Sequence, residues 1–320
     1  MAAILYAHSG KQERSMKVGV NLVNFGAAAT PDTLARWANL VEALGYHHLM
    51  TSDHVTITPD VGGRFPAPFY EPLTTLGWLA GITRDISIGA SVIILPYRSP
   101  LEIARAFANI DQLSGGRCIL GVGVGWAKQE YAALNVPFER RGAIANEYLA
   151  AIRQMWTEEV SSFDGEFIQF TDVDSKPMPV QSPHPPIWIG GGSVAALRRA
   201  VRFGEAWHPF QATVASLRDT GIPKLRAIAE AEEKSVPALC PRILLRITDS
   251  DLAEDARVAG EGSLAQIHRD LAGLEELGCT DVLLDAFTDD GRAAREPEYA
   301  WRMLETIAEK VMDLDRKTVR

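Results

Sequence analysis

One short pattern returns along this chain and limits its fold more than any single residue does. Glu42-Ala-Leu-Gly-Tyr-His-His-Leu-Met50 resembles Glu276-Leu-Gly-Cys-Thr-Asp-Val-Leu-Leu284, and Arg202-Phe-Gly-Glu-Ala-Trp207 is a looser copy. Each copy is a helix end, a glycine that stops it, a short turn and an apolar strand. A chain that alternates strand and helix in this way builds parallel strands with right-handed crossovers. Strands are expected near residues 17–23, 48–52, 86–94, 117–123, 186–190, 205–208, 242–247 and 281–285. Eight strands favour an α/β fold of the (β/α)8 TIM-barrel type, with a doubly wound open sheet as the alternative.

The helices carry their own signals. Thr30 is an N-cap with Pro31 at the first helical position, Leu34, Trp37, Val41 and Leu44 share one face, and Gly45 ends the helix. Ser99-Pro-Leu-Glu102 reads as a capping box for a helix whose face is Ile103, Phe107, Ile110 and Leu113. Two stretches interrupt the alternation. Residues 55–72 form a long loop rich in Pro, Gly and aromatics, and Phe65, Phe69 and Tyr70 mark it as a lid. Residues 160–185 hold a small hairpin around Asp164-Gly165. Both are insertions into one domain, 16–320. Residues 1–15 are expected to be a disordered extension, with Met16 as an alternative start.

Composition excludes several classes of function. There are 32 basic and 41 acidic residues, a net charge of −9, so nucleic acid and anionic membrane are not the expected partners. A local basic pocket is still allowed. No apolar run is long enough to span a bilayer, and Met1 to Ala7 lacks a basic n-region. Cys118, Cys240 and Cys279 form no CxxC pair and suit a reducing cytoplasm. His47, His48, His54, His184 and His208 show no metal-ligand spacing, and no GxSxG elbow is present. No metal is expected.

Barrel enzymes work at the carboxyl ends of their strands, and that rule selects positions to inspect. Strand two ends in Asp53-His54, a pair able to hold or move a proton; a turn-capping Asp with a solvated His is the alternative. Strand four ends in Gly121-Val-Gly-Val-Gly-Trp126. Gly123 and Gly125 allow close approach of backbone or ligand, and Trp126 either stacks on a planar ring or packs in the core. This is not a dinucleotide fingerprint. Strand five ends in Gly190-Gly191-Gly192-Ser193 and a helix starts at once. Free backbone N–H groups, a hydroxyl and a helix N-terminus make an anion cradle suited to phosphate; a flexible turn with Ser193 as plain N-cap is the alternative. Strand six ends in Trp207-His208-Pro209, a pocket wall or simply an aromatic strand end.

Taken in order, Val18-Gly-Val-Asn21, Ser52-Asp53-His54, Ile88-Gly-Ala-Ser-Val92, Pro96-Tyr-Arg-Ser-Pro100, Leu120-Gly-Val-Gly-Val-Gly-Trp126 with Glu130-Tyr131, and Pro186-Ile-Trp-Ile-Gly-Gly-Gly192 resemble the bacterial luciferase-like family of flavin and deazaflavin oxidoreductases. The resemblance covers roughly residues 16 to 210. It implies a TIM barrel that binds FMN or the deazaflavin coenzyme F420, with phosphate at Gly190 to Ser193. It implies a non-prolyl cis peptide at Ser91-Val92 pressing on the ring, with Gly123 and Gly125 alongside. Asp53 would contact or orient the ring, and His54 would lie near its reactive edge. Asn21, Trp126 and Trp207 are assigned to the substrate pocket.

The chain resembles the deazaflavin branch more than the light-emitting one. The expected activity is F420-dependent hydride transfer to or from an unidentified small organic substrate. Sugar-phosphate dehydrogenases of that branch carry a catalytic Glu where Trp126 stands here, which points to a different substrate and a different acid. One alternative is an FMN-dependent monooxygenase using O2 and supplied by a flavin or F420 reductase. Another is a non-catalytic flavin-binding protein. A metal-dependent hydrolase would need clustered ligands that the sequence lacks. Family barrels often pair as homodimers.

Overall fold

The computed structural model describes residues 15–320, so the extension expected at 1–15 lies, except for Ser15, outside the described residues. Nine strands form one curled sheet: β1 (Lys17–Leu22), β2 (His48–Thr51), β3 (Ser87–Ile94), β4 (Cys118–Gly123), β5 (Ile187–Gly190), β6 (Ala206–His208), β7 (Ala238–Leu239), β8 (Arg242–Leu244) and β9 (Asp281–Asp285). The order across the sheet is β8-β9-β1-β2-β3-β4-β5-β6-β7. Every pairing in it is parallel, as the repeated pattern requires.

The sheet has an outside and an inside. Side chains alternate along a strand, so adjacent residues enter different layers. Leu49 packs in the large layer between sheet and helices, while Met50 joins Ile119, Trp188, Ala206, Cys240 and Leu283 in a separate inner cluster. Helices α1 (Pro31–Ala43), α2 (Pro59–Gly62), α3 (Pro72–Ile82), α4 (Pro100–Ser114), α5 (Lys128–Ala133), α6 (Arg141–Thr157), α7 (Val194–Phe203), α8 (Ile222–Ala231), α9 (Leu264–Glu276) and α10 (Pro297–Lys310) supply the crossovers and insertions. No helix among the described residues is long and apolar enough to cross a membrane.

Local signals act as expected at α1: Thr30 accepts from the Thr33 N–H at 3.2 Å, and Gly45 adopts φ +84°. At α4 the helix begins after Ser99, but the Ser99 side chain makes no capping bond. The expected capping box is not formed, and Pro100, with its preset φ, still favours a helix start at this position. The hairpin is present as Val160–Asp164 against Gln169–Asp174, and Gly165 N–H donates to Ile168 O at 3.0 Å across the turn.

Two departures matter for the site. Residues 55–72 are not wholly irregular, since they contain α2, and they lead into α3, a helix absent from the expected set. The strand expected at 242–247 is shorter, and Arg246–Ile247 pairs instead with Glu261–Gly262. Pro241 has no N–H, so the ladder breaks between β7 and β8. The stretch 238–244 nonetheless bonds to both neighbours. Cys240 N–H donates to Trp207 O at 2.9 Å, Arg242 N–H to Pro209 O at 2.8 Å, and Leu283 N–H to Pro241 O at 2.9 Å.

Candidate functional site

A cavity of about 580 Å³ opens at the carboxyl ends of the strands. Asp53, His54, Ser91, Val92, Gly123, Gly125, Trp126, Gly190, Gly191 and Ser193 all line it, so residues singled out at four separate strand ends meet in one place. Gly192, Asn21 and Trp207 are not among its lining. Gly192 is exposed, while Asn21 and Trp207 are buried behind the wall.

The wall begins at a break in β3. Its register against β4 shifts between Ala90 and Ile93, and the Ser91–Val92 peptide is cis. Val92 then fills space that glycines leave free. A Cβ on Gly123 would meet Val92 Cγ2 at 2.6 Å, and one on Gly190 would meet Val92 Cγ1 at 3.2 Å. Those glycines therefore serve packing as well as access.

Behind Ser91 lies a buried polar network. The His208 Nδ1 faces the Cys240 carbonyl, which can only accept, so Nδ1 carries the proton. The Nε2 then accepts from the Ser91 hydroxyl at 2.8 Å. Burial pushes His208 down to about 4, which keeps it neutral. Arg242 donates to the Ser91 carbonyl and, at 2.7 Å, to Asp285 Oδ2. Asp285 Oδ1 accepts from Asn21 Nδ2 at 3.2 Å, so Asn21 supports a cavity residue from below. Trp207 Nε1 donates to Gly191 O at 2.8 Å and so pins the glycine loop.

Asp53 and His54 have different partners. Asp53 accepts from Arg98 at 2.7 and 2.9 Å and from the Ile94 N–H at 2.8 Å. These bonds tie the end of β2 to the end of β3. His54 Nδ1 lies 2.6 Å from Glu130 Oε2, and Glu130 is its only hydrogen-bond partner among the described residues. The other ring nitrogen is left without one. Phe65, Phe69 and Trp126 surround the imidazole with centroids at 5.2, 5.5 and 6.0 Å.

The opposite end of the cavity is cationic. Ser193 caps α7 by accepting from Ala196 N–H at 3.2 Å, which leaves the first turn of a ten-residue helix facing Gly190 to Ser193. Arg199, one turn along, is buried and lines the cavity. It donates to Asn146 Oδ1 at 2.8 Å and to Gly142 O at 3.0 Å, and no carboxylate among the described residues pairs with it. Desolvation lowers its pKa. Arg141 sits nearby with its guanidinium 3.9 Å from the Phe138 ring centroid and its buried Nε unpartnered.

Glu130, Arg98, Arg141, Arg199 and Arg242 escaped the sequence reading as site residues. One signal existed for Arg199: it falls on the apolar face of α7 with Ala196 and Ala200, where a charge needs a reason.

This is a parallel α/β protein with a cavity where such sheets hold their ligands, cationic at one end and lined by aromatic rings at the other. The luciferase-like monooxygenase family matches residues 15–307, and the chain belongs to that family. It is similar to the F420-dependent glucose-6-phosphate dehydrogenase of Kineococcus radiotolerans, 31% identical over 230 residues, 70% of this chain and 66% of that one. It is also similar to the FMNH2-dependent dimethylsulfone monooxygenase of Pseudomonas putida, 35% identical over 142 residues, 43% of this chain and 39% of that one. Among solved structures, an F420-dependent secondary alcohol dehydrogenase in complex with an F420–acetone adduct superposes with a TM-score of 0.73 at 15% identity, covering 88% of this chain and 96% of that one. The relatives named by sequence thus include both an F420-dependent dehydrogenase and an FMNH2-dependent monooxygenase.

Proposed function

We propose that this protein is an F420-dependent oxidoreductase that moves a hydride to or from a small, largely apolar substrate. The observation that carries the reading is the division of one cavity: unpaired arginines at the cradle, and an imidazole nitrogen free among aromatic rings at the other end.

The residues fit a phosphate-bearing planar cofactor. The cavity volume of about 580 Å³ lies in the usual range for cofactor sites. Arg199 is a buried cation without a carboxylate, and Arg141 has a buried Nε without a partner, so both lack an anion. Gly190 to Ser193, Arg199 and Arg141 would hold the phosphate. Ser91, Val92, Gly123 and Gly125 would back the ring. When bound, the deazaflavin supplies two-electron hydride chemistry. His54 Nε2 gives or takes the accompanying proton, with the rings of Phe65, Phe69 and Trp126 around the imidazole. Asp53, held by Arg98, keeps the end of β3 in place beside it.

The same reading takes residues 238–244 as one strand, which closes the sheet as an eight-stranded barrel and makes 16–320 one domain. The hydrogen bonds from that stretch to both neighbours support this. Similarity to F420-dependent dehydrogenases extends over more of the chain than similarity to the FMNH2-dependent monooxygenase, and this supports the deazaflavin choice. The second reading, an FMN-dependent monooxygenase fed by a reductase, draws on the higher identity of the shorter match. Titrating the purified protein with FMN and with F420, followed by fluorescence quenching, separates them. Tight FMN binding with no F420 binding overturns the first choice.

A further inference from the structure

We infer that Glu130 is a positioning residue that sets the tautomer of His54 and seats the lid segment through one carboxylate. The inference rests on the proton-transfer role proposed for His54.

Glu130 lies on α5 and is fully buried. Three donors converge on it: His54 Nδ1 at 2.6 Å on Oε2, and the Val55 and Thr56 N–H groups at 2.7 and 3.1 Å on Oε1. A carboxylate only accepts, so Nδ1 must carry the imidazole proton and Nε2 keeps its lone pair toward the cavity. The neighbouring side chain works on the same segment. Gln129 N–H donates to Asp60 Oδ2 at 3.0 Å, and Gln129 Oε1 accepts from Asp60 N–H at 3.1 Å. Two consecutive residues of α5 thus hold residues 55–60. That segment leads to Phe65 and Phe69, whose rings pack on the imidazole that Glu130 orients. The contacts form a closed circuit: Glu130 to His54, His54 to the lid aromatics, and the lid root back to Glu130. A carboxylate bound only to His54 would orient it and leave the lid free. One bound only to Val55 and Thr56 would leave the imidazole free to change tautomer.

Glu130→Gln separates the two tasks. Its amide oxygen can still accept from Val55 and Thr56, while its NH2 group can only donate to Nδ1, which forces the proton to Nε2. The readouts are the His54 tautomer, by long-range 1H–15N spectra of the ligand-free protein at alkaline pH, hydrogen exchange at residues 55–60, and turnover. The wild type should show Nδ1–H. Glu130→Gln should show Nε2–H, keep the exchange rates of Val55 and Thr56, and lose at least about 100-fold in kcat. Gln129→Ala should speed exchange at Asp60 by about fivefold, the worth of one hydrogen bond, and leave the tautomer alone.

Nε2–H in the wild type overturns the inference, even if the Gln variant fails to fold. So does Nδ1–H retained in a folded Glu130→Gln. The tautomer needs no cofactor or substrate. Normal turnover by His54→Ala, with Nδ1–H present in the wild type, would remove the proton-transfer reading and leave the positioning intact.

Discussion

Replacing Arg199 by Met removes the buried charge at the cradle and keeps most of the side-chain volume. A hydrogen bond to a charged group contributes about 1.5–3 kcal/mol, so loss of the guanidinium should weaken a phosphate-bearing cofactor by about 10- to 150-fold. Stability should move much less. The variant loses bonds to Asn146 Oδ1 and Gly142 O, both on half-buried residues that water can reach, a cost of about 1–2 kcal/mol. Against this, the desolvation that depresses the Arg199 pKa disappears with the charge. The two effects offset, and Tm should shift by only a few degrees, about 2–4 °C at most.

The assay compares ligands that differ in the phosphate. FMN and riboflavin are titrated into wild type and Arg199→Met, and F420 is titrated beside a deazaflavin lacking the phosphate-bearing side chain. The phosphorylated ligand should lose affinity and the other should change by no more than about twofold. An equal loss for both members of a pair would mean that Arg199 acts on the ring or on the fold. No loss for either would place the phosphate elsewhere and refute the cradle.

Three other outcomes follow from the same geometry. His54→Ala should bind cofactor normally and turn over at least about 100-fold more slowly, measured in single-turnover kinetics; unchanged rates would take His54 out of the mechanism. Trp207→Phe keeps an aromatic core residue but loses the bond to Gly191 O, so FMN affinity should fall by about fivefold, the worth of one hydrogen bond, while riboflavin affinity holds. His208 titrates at about 4 when folded against an ordinary 6.5, so protons favour the unfolded chain. Its stabilisation is complete above about pH 6.5 and is lost as pH falls toward 4, by about 3 kcal/mol; urea midpoints for His208→Gln should show a smaller slope there, keeping the part from His47, whose pKa burial also lowers. Asp281, where burial pushes the pKa up but the His48 hydrogen bond and charge hold it at about 2, acts in a lower pH window and does not mask the effect.

The parts of the fold that sequence could show are local ones. Alternation of strand and helix, the Thr30 cap and the Gly45 stop act within a few residues, and the strand ends then fall together because parallel strands share one edge. Helix α3 was hidden because its apolar residues run all round rather than along one stripe, in a segment crowded with prolines and aromatics. The stretch 238–244 was misplaced because Pro241 interrupts it. The missed site residues have distant partners. His54 and Glu130 are 76 residues apart, and Arg242 and Ser91 are 151 apart, so no spacing pattern connects them. Gly123 is a mixed case: its glycine signal is real, and part of its physical cause is room for Val92.

The distribution of charge inside the cavity narrows the substrate. The chain carries −9 overall, yet the acids deepest in the cavity are already answered. Asp53 is neutralised by Arg98 and Asp285 by Arg242. Arg199 and Arg141 are paired with no carboxylate among the described residues, so cations without a bound counter-ion stand at the cradle. Around His54 the neighbours are Phe65, Phe69 and Trp126, with Glu130 behind the ring and committed to it. The Phe65 and Phe69 rings against His54 offer no hydrogen bond to an anion, and the lining cation Arg64 lies against Phe65 rather than paired to His54. A compact molecule with one carbonyl or hydroxyl near Nε2 needs no such partner. In the proposed reading, Trp126 with Phe65 and Phe69 makes the end around His54 a place for apolar carbon.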